Sequence, residues 1–235
     1  MKIPLFQRAG AFALVLLGVI ASAPAAEPSA LLHDLNTPVF DASGRMIRRL
    51  TAKSGNIAST SLQLLDGKIE FFPPALSELS TSTLEFDHAR YTKSAERIDG
   101  DGALTLTSKD GTVRARGFEG ALETGRFTLK SAVQFDSEEF QLNGDRGGLR
   151  FDPRATATDR AIKSVTLTGN VILVGAAARK QGFDRIETTL ARYDAAQSKV
   201  YVKLPVTGWK NGQHALLQEG PEFLEIEISR KPAAP

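Results

Sequence analysis

Apolar and polar residues alternate with a period of two through most of this chain. That is the spacing of a β-strand with one face buried and the other in water. The clearest window is 165–173, where Val165, Leu167, Val171 and Leu173 share one parity and Thr166, Thr168 and Asn170 the other. Gly169 sits in the middle of the apolar parity, and Ile172 alone breaks the polar side. Four further windows align with it: Gln63, Leu65, Gly67, Ile69, Phe71; Ile98, Gly100, Gly102, Leu104, Leu106; Phe127, Leu129, Ser131, Val133, Phe135; and Val200, Val202, Leu204, Val206, Gly208. Their starts fall 35, 29, 38 and 35 residues apart, counting all five in chain order. Repetition at this spacing signals an array of similar supersecondary units. The third position is Gly or Ser in every window except the last, which has Leu204. A recurring small residue inside a strand predicts a bulge, a bend or a close backbone approach.

The segments before the windows repeat as well. Ala89-Arg90-Tyr91 precedes the second window and Ala191-Arg192-Tyr193 the fifth, each followed by a polar turn. The third window follows Phe118, Gly120 and Leu122 and the turn Glu123-Thr124-Gly125-Arg126. Each unit therefore reads as strand, turn, strand, a hairpin whose second arm is the window. Residues 46–52 supply an early strand after a Ser43-Gly44 turn, Pro73 and Pro74 stop the first unit, and Lys109-Asp110-Gly111 is a turn. Residues 143–148 and 176–182 read as loops, 151–160 as an irregular connection, and Leu224, Ile226 and Ile228 as a last strand. Tyr91 and Tyr193, at strand ends, are expected to pack with their hydroxyls in water. No long stretch after the first 26 residues has helical period. The fold class predicted is all-β and antiparallel.

The N-terminus is different. Lys2 and Arg8 give a basic start, 9–23 is uncharged and mainly apolar, and 21–26 is small residues with Pro24. This is the layout of a secretory signal peptide. Cleavage after Ala26 is favoured over Ala23; the alternative is an uncleaved anchor, for which the apolar run is short against the roughly 20 residues of a span. One β domain over 27–229 and a disordered tail at 230–235 complete the division.

This segment changes the charge reading. The whole chain carries 29 Lys+Arg against 27 Asp+Glu, and residues 1–26 remove Lys2 and Arg8, leaving 27 of each. A nucleic-acid partner needs concentrated positive charge and is excluded on this balance. The one basic cluster, Arg45, Arg48 and Arg49, reads as a solvated strand edge. With no cysteine, disulfides, thiolate metal sites and cysteine nucleophiles are excluded. His33, His88 and His214 lie far apart, without metal-ligand spacing. No nucleophile elbow or phosphate loop occurs, and no cofactor is expected.

What remains is a large apolar inner face. Phe71, Phe86, Leu104, Leu106, Phe118, Phe127, Leu129, Val133, Phe135, Leu167, Val171 and Leu173 are the candidate lipid-binding residues of a sheet curled around an apolar ligand. An ordinary closed core explains the same residues. The remaining alternatives are a structural repeat module of the cell envelope and, further off, a glycan-acting solenoid enzyme with parallel rungs.

The hairpin units carried by Ala89-Arg90-Tyr91 with 98–106, by 118–135, by 165–174 and by Ala191-Arg192-Tyr193 with 200–206, behind an export signal, resemble the periplasmic lipopolysaccharide-export family (LptA/LptC/OstA-like). The likeness spans about residues 44–207. It implies a β-jellyroll or β-taco, antiparallel sheets folded over a hydrophobic groove. It implies a periplasmic, non-enzymatic protein that binds lipopolysaccharide or a related lipid through its acyl chains. It also implies edge-strand pairing with other jellyrolls of this type and an inner-membrane ABC transporter as motor. The soluble and the anchored types of the family remain two readings of the N-terminus.

Overall fold

The computed structural model describes residues 30–57, 60–73, 80–217 and 222–228. The proposed signal segment 1–26 and the tail 230–235 lie outside the described residues. Among the described residues, fifteen strands form one continuous sheet in which all pairing is antiparallel. The first seven, β1 (Ala30–Phe40), β2 (Met46–Ile57), β3 (Ser61–Phe71), β4 (Ser82–Thr92), β5 (Arg97–Ser108), β6 (Gly111–Ala121) and β7 (Arg126–Asp136), are a simple meander. The expected hairpins form: the windows begin on β3, β5 and β7, then on β10 (Ile162–Gly175) and β12 (Lys199–Lys203).

The sheet is creased along its middle. Ladder registers break between Phe86 and Arg90 in β4, Gly100 and Ala103 in β5, Arg114 and Arg116 in β6, and Thr168 and Val171 in β10. Positive φ occurs at the same level at Asp34, Asp66, Gly117, Ala132 and Gly169. Beyond β7 the crease interrupts strands outright. Asp145 separates β8 (Phe140–Gly144) from β9 (Arg146–Phe151), and a cis Leu204–Pro205 bond separates β12 from β13 (Val206–Lys210). The two halves of each bent strand then belong to two facing walls. β9, β12 and β15 (Phe223–Glu227) lie on the first wall; β8, β13 and β14 (Gln213–Leu217) lie on the second. The third position of every sequence window falls at this crease, so the small residues mark where the chain turns from one wall to the other.

Two sequence readings are corrected by the crease. Residues 143–148 are not a loop but the ends of β8 and β9. In β3, Leu64 is buried and Leu65 is 45% exposed, because the left-handed turn at Asp66 (φ 48°) slips the inward parity by one residue. The inner face of β3 is therefore Leu64, Gly67, Ile69 and Phe71.

Side chains from the two walls meet in one apolar core. Phe71 of the second wall packs edge-on against Phe151 of the first, with centroids 5.0 Å apart, and Phe135 meets Tyr193 at 5.2 Å. Each fully buried phenylalanine of this kind contributes about 1.5–3 kcal/mol over an exposed one. The rim opposite the crease is closed by polar contacts. The Asp110 carboxylate, on the β5–β6 turn, accepts from the N–H groups of Ala161 (2.5 Å) and Ile162 (3.2 Å), and Lys109 donates to the Ala157 carbonyl at 2.5 Å. Nearby, Arg160 donates to the Tyr193 hydroxyl at 3.0 Å, so that hydroxyl is bonded rather than wet.

Residues 176–182, expected as a loop, contain a short helix, α1 (Ala176–Lys180), which follows β10. Ala177 and Ala178 are fully buried, and Lys180 reaches the Glu227 carbonyl of β15 at 3.2 Å. The helix thus ties the second wall to the first near the C-terminal end. It leads into β11 (Arg185–Asp194), which pairs with β10 and then splits between β12 and β13.

Candidate functional site

The twelve candidate lipid-binding residues all face inward, as their parity predicts. Phe71, Leu106, Phe118, Phe135, Leu167 and Leu173 have no exposed surface, and Phe86, Leu104, Phe127, Leu129, Val133 and Val171 are at most 5% exposed. All twelve belong to the single core cluster and fill the closed middle of the fold. As folded, they contact one another across the two walls.

Open space between the walls occurs at the N-terminal end instead. A cavity of about 590 Å³ is lined by Val39 and Phe40 of β1, Leu50 of β2, Ile57, Leu62 and Ile69 of β2 and β3, and Leu122 of the β6–β7 turn. It exists because β1 contributes no buried side chain among the described residues, whereas β15 at the other end buries Ile226 completely. Leu50, Ile69 and Leu122 form the buried floor, and Phe40 (56% exposed) and Ile57 (42%) stand at the lip. This volume and apolar lining fall in the range of small-molecule sites.

Besides the hydroxyls of Thr37, Thr60 and Ser61, the charged side chains Arg48, Lys93 and Glu96 and the Tyr91 phenol line that cavity. Arg48, on β2, is only 8% exposed. Its Nη2 donates to Glu96 Oε2 at 2.6 Å, from the second wall to the first. The Tyr91 hydroxyl donates to the same oxygen at 3.2 Å. Glu96 follows a 3-10 turn at Lys93–Ala95 and takes a left-handed φ of 48°. Its backbone is held at both groups, N–H to the Lys93 carbonyl at 3.2 Å and carbonyl from Leu122 N–H at 2.8 Å. Burial, and after it the adjacent Glu96 charge, push the Tyr91 phenol up to about 12. It is a neutral donor at any physiological pH.

The reading of Arg45, Arg48 and Arg49 as a solvated edge is therefore corrected for Arg48. β2 is an interior strand, and Arg48 shares its inward parity with Leu50 and Ala52. A charged residue on the apolar parity of 46–52 was the available signal. Tyr91 likewise has its hydroxyl bonded, not wet. Glu96 had no such signal, since it lies in a turn and meets Arg48 only through the fold.

The histidines stay apart. His33, His88 and His214 are exposed, and the His214 ring lies tilted against Trp209 with centroids 5.0 Å apart. No group of three or more His, Cys, Asp or Glu side chains among the described residues is placed to hold a metal. No helix among the described residues is long and apolar enough to cross a membrane. No protein-family profile matches the chain, and no curated protein matches it either.

Proposed function

We propose that this chain is an envelope lipid-binding protein of the lipopolysaccharide-export kind, taking acyl chains between its two walls and joining other β-jellyroll proteins through its edge strand. The observation that carries the reading is the cavity at the β1 end, with apolar walls, opening directly to solvent between facing sheets. An acyl chain moved from water into it gains about 0.8 kcal/mol per methylene. The candidate lipid site thereby shifts from the twelve core residues to Val39, Phe40, Leu50, Ile57, Leu62, Ile69 and Leu122. β1 also supports the partner half of the reading, since among the described residues it pairs only with β2 and leaves an eleven-residue edge. In this reading the protein is periplasmic, which the export-signal layout of 1–26 supports, and an inner-membrane ABC transporter is the external motor that directional transfer needs.

The packed middle of the fold favours a second reading, a structural repeat module that holds no lipid. Purification without detergent followed by lipid mass spectrometry separates the two. A photoreactive residue at Leu50 should crosslink to an acyl lipid and one at Phe127 should not. Absence of lipid together with no crosslink at Leu50 sinks the carrier reading.

A further inference from the structure

Glu96 Oε2 occupies a position where a guanidinium N–H and a phenol O–H meet, 2.6 and 3.2 Å away, at the wall of the apolar cavity. This is the donor geometry of an anion site, filled by the chain's own carboxylate. The two partners of the ion pair are not equally tied to the interior. The Arg48 side chain is 10% exposed and that of Glu96 30%. A buried cation left without a partner is strongly unfavourable, while a carboxylate on an exposed turn can rotate into water at little cost. If the pair opens, Glu96 leaves and Arg48 stays. The second cation at the cavity, Lys93, gives the lining two positive groups against one negative.

We infer that Arg48 and Tyr91 form the head-group site of the cavity, where an amphiphile with an anionic head, carboxylate or phosphate, displaces Glu96 while its chain lies against Leu50, Leu62 and Ile69. The inference rests on the proposed lipid-binding reading and adds to it the charge of the ligand and the residues that select it. Arg48 offers two parallel N–H donors suited to a planar or tetrahedral anion. Glu96 acts as an internal competitor, so the empty protein keeps its buried cation paired.

The test uses the full chain and cis-parinaric acid, whose fluorescence rises in an apolar site, beside its neutral methyl ester. The acid should bind about tenfold tighter than the ester. Glu96→Gln should tighten acid binding several-fold and leave the ester unchanged. Arg48→Gln should bring the acid down to the ester's affinity, and Arg48→Lys should recover part of the difference. Because Glu96→Gln moves affinity upward, a folding defect cannot imitate it. Equal binding of acid and ester in wild type and all three variants overturns the head-group site while leaving the cavity reading intact. Failure of both probes to bind overturns both. Displacement of the acid by millimolar inorganic phosphate, with the ester unaffected, would show a free-anion site and also overturn the inference.

Discussion

Gly169 provides the sharpest test of the crease. It has a φ of +100°, and a Cβ added there would lie 2.3 Å from Asp145 Oδ2 and 2.6 Å from Asp145 Cβ. The whole Asp145 side chain must move, which breaks its two acceptor bonds from Asn170, 3.1 Å to the backbone N–H and 3.0 Å to Nδ2. Gly169→Ala then combines an unfavourable backbone region, about 1–3 kcal/mol, with overpacking of about 1–3 kcal/mol. Reduced freedom of the unfolded chain returns about 0.4–1 kcal/mol. Gly44→Ala is the matched control, with a φ of +79° and nothing within 4 Å of the added carbon. The first variant should therefore be about 2 kcal/mol less stable than the second, roughly 4–8 °C in melting temperature for a domain of this size. Urea unfolding followed by circular dichroism reads both. Equal losses in the two variants would show that Asp145 does not brace the bend, and the account of the crease as a packed joint would fail.

Three other outcomes follow from the geometry. Leu64→Ala should cost about 2–5 kcal/mol and Leu65→Ala less than about 0.5 kcal/mol; the reverse order in urea unfolding would deny the parity slip at Asp66. Asp110→Ala leaves the Ala161 and Ile162 N–H groups without their acceptor, so it should cost about 1–3 kcal/mol and speed exchange of those two amides at least tenfold; unchanged exchange would mean the rim is not closed there. Because the folded protein raises Tyr91 from 10.0 to about 12, its contribution to stability is complete below pH 10 and declines as pH rises towards 12. An absorbance titration at 295 nm should lose a late component in Tyr91→Phe, and the variant's stability should fall less over that window; identical curves would refute the burial of this phenol.

The sheet and its bends were readable because both depend on local pattern. Alternation set the strands, and small residues such as Gly67, Gly102, Ser131 and Gly169 marked the crease, since a strand bends most easily where no large side chain stands. Asp66 was not readable, because a bulge on a residue other than glycine leaves no compositional mark. Helix α1 spans five residues, little more than one turn, too few to show a period. The β13–β14 hairpin escaped because β14 buries nothing and so has no inward face to alternate. The candidate site was the least legible. Which part of a continuous apolar face closes and which stays open depends on the separation of walls distant in sequence. Arg48 and Glu96 stand 48 residues apart and become neighbours only when the sheet folds.

β1 combines two vacancies that geometry makes inseparable. Among the described residues its outer side has no ladder partner, and its second half, including Val39 and Phe40, forms the lip of the cavity. A strand added to that side would prolong both walls at once, deepening the enclosed space by one strand spacing, about 4.8 Å. The entrance would pass from this chain to the newcomer. How long a molecule the interior can hold is then decided by how many strands are assembled, not by the sequence of one chain.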